Sequence, residues 1–147
     1  MILHVDAHWL RHYAGDFLAA AQAFESPANR FSPVPCYLLG HSIELSLKAF
    51  LFTVGFNRSD RKKLNHDLEL ALRLAEDEGL GAHLEITLDD REVLRGASRL
   101  YSKKEFEYFE SLETVYDPLD FDPQALASFA TRLFDAIEGP VSDSVVE

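Results

Sequence analysis

The chain has 147 residues, 47% of them hydrophobic and 27% charged, the length and balance of one globular domain with its own core. Its formal net charge of −11 is the wrong sign for a dedicated binder of duplex nucleic acid. A single cysteine, Cys36, rules out an intrachain disulfide, and no apolar run approaches the roughly 20 residues that cross a bilayer.

The first predicted helix runs from about Asp6 to Phe24. Leu10, Tyr13, Phe17, Ala21 and Phe24 fall at steps of three and four, which places them on one face. Asp6, His8, Arg11, His12 and Asp16 interrupt the apolar residues, and no basic region precedes them. No secretory signal is therefore expected, and the chain reads as cytoplasmic. Pro27 and Asn29 end this helix.

Ser32-Pro33 opens the second helix. A serine oxygen accepts from a free backbone N–H, and proline suits a first helical turn. The helix continues to about Val54 and stops at Gly55. Leu38, Leu39, Ile43, Leu45, Leu47, Phe50, Leu51 and Val54 wrap nearly all round it, which predicts the central helix of a bundle. Cys36, among bulky apolar neighbours in PVPCYLLG, reads as a small buried hydrophobe.

A basic loop with Arg58, Arg61, Lys62 and Lys63 follows. The third helix starts at Asn65 or His66, ends at Gly79 or Gly81, and carries the stripe Leu68, Ala71, Leu72 and Ala75. The fourth opens on Thr87-Leu88-Asp89-Asp90, a threonine cap with an acid three residues on. Val93, Leu94, Ala97, Leu100 and Tyr101 line its inner side. Between Ser102 and Asp120 the pattern fits a short extended piece or a helix end. Asp122-Pro123 opens the last helix, with the stripe Leu126, Phe129, Ala130, Leu133, Phe134 and Ile137. Gly139-Pro140 is expected to end it, leaving residues 140–147 as a loose tail after a domain of residues 1–139. With no run of strand and hairpin signals, the expected fold is an all-α bundle of four to five helices.

Polar residues on the second helix set the functional question. His41, Glu44 and Lys48 are three and four residues apart and share a face. Three such groups on a central helix need partners, because an isolated buried charge is costly. His66 and Asp67 are the intrachain partners the sequence offers. Two readings stand: an orienting polar contact between helices, or a groove or seam that receives a ligand or partner. Asn65 is the expected cap of the helix start, where backbone N–H groups lack intrahelical acceptors, and Asp67 sits favourably near the positive helix end. Arg58, Lys62 and Lys63 are either solvated charge or a phosphate patch. Tyr101, Phe106, Tyr108 and Phe109 are either core or a base-stacking surface. His8 and His12 are four apart with Asp16 four further on, yet no metal site or cofactor is expected from them.

The stretch HSIELSLKAFLFTVGF, a gap, and HDLELALRLA resembles the HEPN family, the higher eukaryotes and prokaryotes nucleotide-binding domain. The matching residues are Glu44, Leu47, Lys48, Ala49, Gly55, His66, Asp67 and Leu68. The likeness covers roughly Ala7 to Ile137. It implies an up-and-down bundle, commonly a homodimer, that binds a nucleotide or serves a partner such as a nucleotidyltransferase. It also implies an alternative, an RNA-cleaving toxin of the toxin–antitoxin kind. Active nucleases of the family carry an arginine and a histidine separated by four residues. Arg61 and His66 have that spacing, the arginine to hold phosphate charge and the histidine to move a proton. Three features oppose this assignment: Lys62 follows the arginine, the pair precedes the third helix rather than lying on a later one, and Arg91 to Glu110 contains no histidine.

Overall fold

The computed structural model describes residues 6–102 and 122–144, apart from the side chains of Arg58, Arg61 and Ser102. The described residues are all-α, without a strand. The helices are α1 (Ala7–Ala23), α2 (Val34–Thr53), α3 (Arg58–Leu64), α4 (Leu68–Asp77), α5 (Leu88–Ser102), α6 (Pro123–Ala136) and α7 (Glu138–Ser144). A one-turn 3-10 helix, Leu80–Ala82, links α4 to α5.

Helix α2 is the hub, as its all-round hydrophobicity predicts. It packs most extensively on α1 and also touches α4, α5, α6 and α7. Leu39, Ile43, Leu47, Phe50 and Leu51 are buried along it. Each such side chain contributes about 1.5–3 kcal/mol relative to solvent exposure. Ser32 Oγ accepts from the Val34 N–H at 3.3 Å, so the expected serine acceptor operates at the start of the helix.

Asp6 caps α1 by accepting from the Trp9 N–H at 3.1 Å. The buried stripe of α1 is Ala7, Leu10, Ala14 and Leu18, rotated from the larger residues that the sequence favours. Small residues let α1 lie close to α2: the Ser42 hydroxyl donates to the Ala14 carbonyl at 2.8 Å. Tyr13 and Phe17 are left half-buried at the edge of that contact.

The expected basic loop is instead helix α3. Asn57 and Asp60 form a reciprocal cap, with Asn57 Oδ1 accepting from the Asp60 N–H at 2.9 Å and Asp60 Oδ2 accepting from the Asn57 N–H at 3.0 Å. Helix α4 is capped by Asp67, whose Oδ1 accepts from the Leu70 N–H at 3.0 Å. Asn65, expected to cap this helix, instead ends α3 in a left-handed conformation, φ 47°. Gly79, φ 102°, ends α4 in the conformation that favours glycine.

Thr87 and Asp90 cap α5 in the expected way, Thr87 Oγ1 accepting from Asp90 N–H at 3.1 Å and Asp90 Oδ2 from Thr87 N–H at 2.9 Å. The Asp90 carboxylate also takes a forked pair from the Arg132 guanidinium on α6. Asp122 caps α6 through the Gln124 and Ala125 N–H groups, and Leu126, Phe129, Ala130 and Leu133 are buried behind it.

The expected loose tail is corrected as well. Helix α7 continues through Ser144, and Val141 is buried against the core. Gly139 and Pro140 occupy its first turn, where a missing proline N–H costs nothing. Residues 145–147 and the reading of Ser102 to Asp120 beyond Ser102 lie outside the described residues.

Candidate functional site

The polar stripe of α2 closes on one carboxylate. Glu44 is only 5% exposed, in the wall of the core. Its Oε1 lies 2.6 Å from His66 Nδ1 and 3.5 Å from Lys48 Nζ. Its Oε2 accepts from the Tyr101 hydroxyl at 3.1 Å. One buried anion thus gathers donors from α2, from the turn between α3 and α4, and from the end of α5. That supply of donors offsets the cost of removing the carboxylate from water.

The protons in this cluster follow from counting donors. A phenol has one hydrogen, and Tyr101 gives it to Glu44. His41 Nδ1 lies 2.8 Å from the same hydroxyl oxygen, so His41 Nδ1–H is the donor in that contact. His66 Nδ1–H donates to Glu44, since a carboxylate has no hydrogen to give.

Packing holds these groups in place. His41 stacks on Phe17 with centroids 4.9 Å apart and planes at 22°. Tyr101 meets the rings of His41 and His66 edge-on, at 5.1 and 6.0 Å. Gly40 makes room for Tyr101: a Cβ there would sit 2.5 Å from the ring's Cδ1. Two successive non-glycine residues, Asn65 and His66, have φ of 47° and 65°. Asparagine tolerates this conformation well. At His66 the turn swings the imidazole onto Glu44, while the next residue, Asp67, caps α4.

The sequence-predicted residues therefore separate into groups. His41, Glu44, Lys48 and His66 come together. Asp67 stands beside them in sequence and serves the helix start. Lys62 and Lys63 are exposed on α3, and the backbones of Arg58 and Arg61 belong to the same helix. The side-chain half of the Arg61/His66 pairing, and the Arg58 part of the phosphate patch, lie outside the described side chains. Phe106, Tyr108 and Phe109 also lie outside the described residues. Tyr101, offered by the sequence as core or stacking surface, is core, at 3% exposure, with its hydroxyl in the cluster.

Cys36 is buried, its sulfur 4.0 Å from the Ala97 carbonyl oxygen. Burial pushes the thiol up to about 12, so it stays protonated and unreactive at neutral pH.

Sequence reasoning missed Tyr101 as a hydroxyl donor and Gly40 as its socket. The signal for Gly40 was a glycine inside a strongly helical run, a sign of close approach by a neighbour. It also missed a cleft of about 210 Å³ between α4 and α5, lined by Glu69, Arg73, Glu76, Arg91 and Arg95. Arg91 forks onto Glu76 at 2.6 and 2.7 Å, and Arg95 meets Glu69 at 3.3 Å. These pairs tie α5 to α4. No described helix is long and apolar enough to cross a membrane. Comparison with protein-family models, curated proteins and solved structures finds no match.

Proposed function

We propose that the chain is a non-catalytic HEPN-like helical domain that forms a homodimer and binds a nucleotide or a protein partner, such as a nucleotidyltransferase. The observation that carries this reading is the contact between Glu44 and His66, 2.6 Å long and set in a wall shared with Tyr101. The residues behind the family resemblance each have a local architectural task. Glu44, Lys48 and His66 meet in one cluster, Gly55 takes φ 102° after α2, and Asp67 caps α4. A histidine engaged in holding a turn needs no catalytic task to account for it.

The test is a thermal melt of the purified chain with and without ATP and related nucleotides, beside light scattering. A ligand that binds only the folded state raises the melting temperature. An upward shift and a dimer mass support the reading. A monomer at high micromolar concentration with no shift at saturating nucleotide contradicts it.

The same contact favours a second reading, a metal-independent endoribonuclease. A carboxylate that holds a histidine's Nδ1–H is the arrangement that orients a general base. Arg61, one helical segment away, would then bind the phosphate. RNA cleavage in a chelator, abolished by His66→Ala, supports this reading; cleavage unaffected by that substitution rejects it.

A further inference from the structure

The outer face of α1 carries a pair of histidines that the Glu44 cluster does not use. His8 and His12 are both exposed and one helical turn apart. Their Nε2 atoms lie 3.1 Å from each other, with ring centroids 4.4 Å apart. Two nitrogens bound to one metal at about 2.0–2.1 Å, with an angle near 100°, are separated by about 3.1–3.2 Å. The two nitrogens are thus already one bite apart.

We propose that His8 and His12 form a two-imidazole chelate for a divalent transition metal of the copper, nickel or zinc class. Imidazole nitrogen is the donor that these borderline ions prefer, and histidines four apart on one helix face are the spacing that presents two such donors together. In the metal-free chain one ring donates its Nε2 hydrogen to the other. On binding, the donor ring gives up its Nε2 hydrogen to solvent and takes one at Nδ1, so both rings remain neutral and both Nε2 lone pairs are offered to the ion. Among the described residues no third histidine, cysteine or carboxylate completes a cluster of three. Copper binds most tightly of the three ions.

The neighbouring side chain supplies the readout. Trp9 is the only tryptophan in the chain, and its ring lies 5.6 Å from His12 and 6.1 Å from His8. A paramagnetic ion held by both histidines sits beside that indole and quenches its fluorescence. Tag-free protein is titrated with Cu(II), and zinc binding is read separately from the melting temperature. The expected result is quenching that saturates at one ion per chain. Apparent affinity falls at least about tenfold in His8→Ala and in His12→Ala, a change of about 1.4 kcal/mol, while His83→Ala is unchanged. Both substitutions fall at exposed helical positions and bring the best helix former, so folding is kept and is checked by circular dichroism. Quenching and zinc stabilisation that persist undiminished in both variants overturn the proposal. So does an absence of quenching in the unmodified chain.

Discussion

His66, in the turn after α3, donates its Nδ1 hydrogen to Glu44 in the middle of α2, 22 residues earlier, at 2.6 Å. This contact fixes where the chain re-enters the bundle after α3. The backbone at His66 is left-handed, at φ 65°, which a non-glycine residue adopts only at a cost. The imidazole's bond to a buried carboxylate and the Asp67 cap one residue on offset that cost together.

Removing the carboxylate is the most damaging single change expected in the cluster. Glu44→Ala leaves the Tyr101 hydroxyl and the His66 ring without their acceptor and opens a void beside them. The expected loss is about 3 kcal/mol, read as a fall in the denaturation midpoint with an unchanged slope. Glu44→Gln keeps an acceptor oxygen and the volume, and is expected to lose less.

Tyr101→Phe removes one hydroxyl and keeps the ring. It leaves Glu44 Oε2 and His41 Nδ1 short of the contact both make with that oxygen. The expected cost is about 1–3 kcal/mol, measured by urea unfolding.

Gly40→Ala tests the socket for the same ring. Alanine is favoured over glycine in a helix by about 1 kcal/mol. The new methyl would lie 2.5 Å from a ring that is only 3% exposed and has little freedom to retreat. Overpacking of this kind costs about 1–3 kcal/mol, so net destabilisation is expected despite the better helix former. Pairing the substitution with Tyr101→Leu is expected to recover part of the loss.

Acid sensitivity is expected to centre on Asp90 and Glu76. Burial pushes the Asp90 carboxyl up, but the hydrogen bonds from Arg132 and Thr87 and the charge of Arg132 outweigh it and hold the group below its ordinary value. Arg91 holds Glu76 down in the same direction, chiefly through its hydrogen bond and to a lesser degree through its charge, against burial, whose opposing effect lies between those two in size. A carboxyl with a lowered folded-state value contributes stability above its unfolded value. That contribution is lost as pH falls through the folded one. Stability of the wild-type chain is therefore expected to decline below about pH 4, the ordinary carboxylate range. Asp90→Asn is expected to be less stable at neutral pH and to decline less in acid, as read by chemical denaturation at a series of pH values.

Much of this fold was legible from residue pattern because several independent signals agreed along the same segments. Asp6, Thr87 and Asp122 announce helix starts with oxygens that the N-terminal N–H groups need, and each does cap. The all-round apolar character of α2 marked it as the hub. Helix α3 was missed because RSDRKKL has no apolar periodicity; its signal was the Asn57 and Asp60 pair, which reads equally as polar loop. Helix α7 was missed because Gly139-Pro140 resembles a stop, though a first turn accepts both. Within the site, His41 meets Tyr101 rather than His66, whereas the link from Glu44 to His66 followed from burial cost. Tyr101 did not, because no spacing rule connects the end of α5 to α2: that contact depends on how the helices cross. Spacing also showed His8 and His12 to be one turn apart, but only side-chain conformation brings their Nε2 atoms together.

The most direct measurement of the Glu44–His66 link is a double-mutant cycle in urea, using Glu44→Ala and His66→Asn. Asparagine tolerates the left-handed backbone of position 66, so the cycle isolates the lost contact from the lost conformation. A coupling of at least about 1 kcal/mol is expected for a charge-assisted bond at the wall of the core. Additivity within about 0.3–0.5 kcal/mol, the range found for sites that do not touch, would contradict a turn held by that carboxylate.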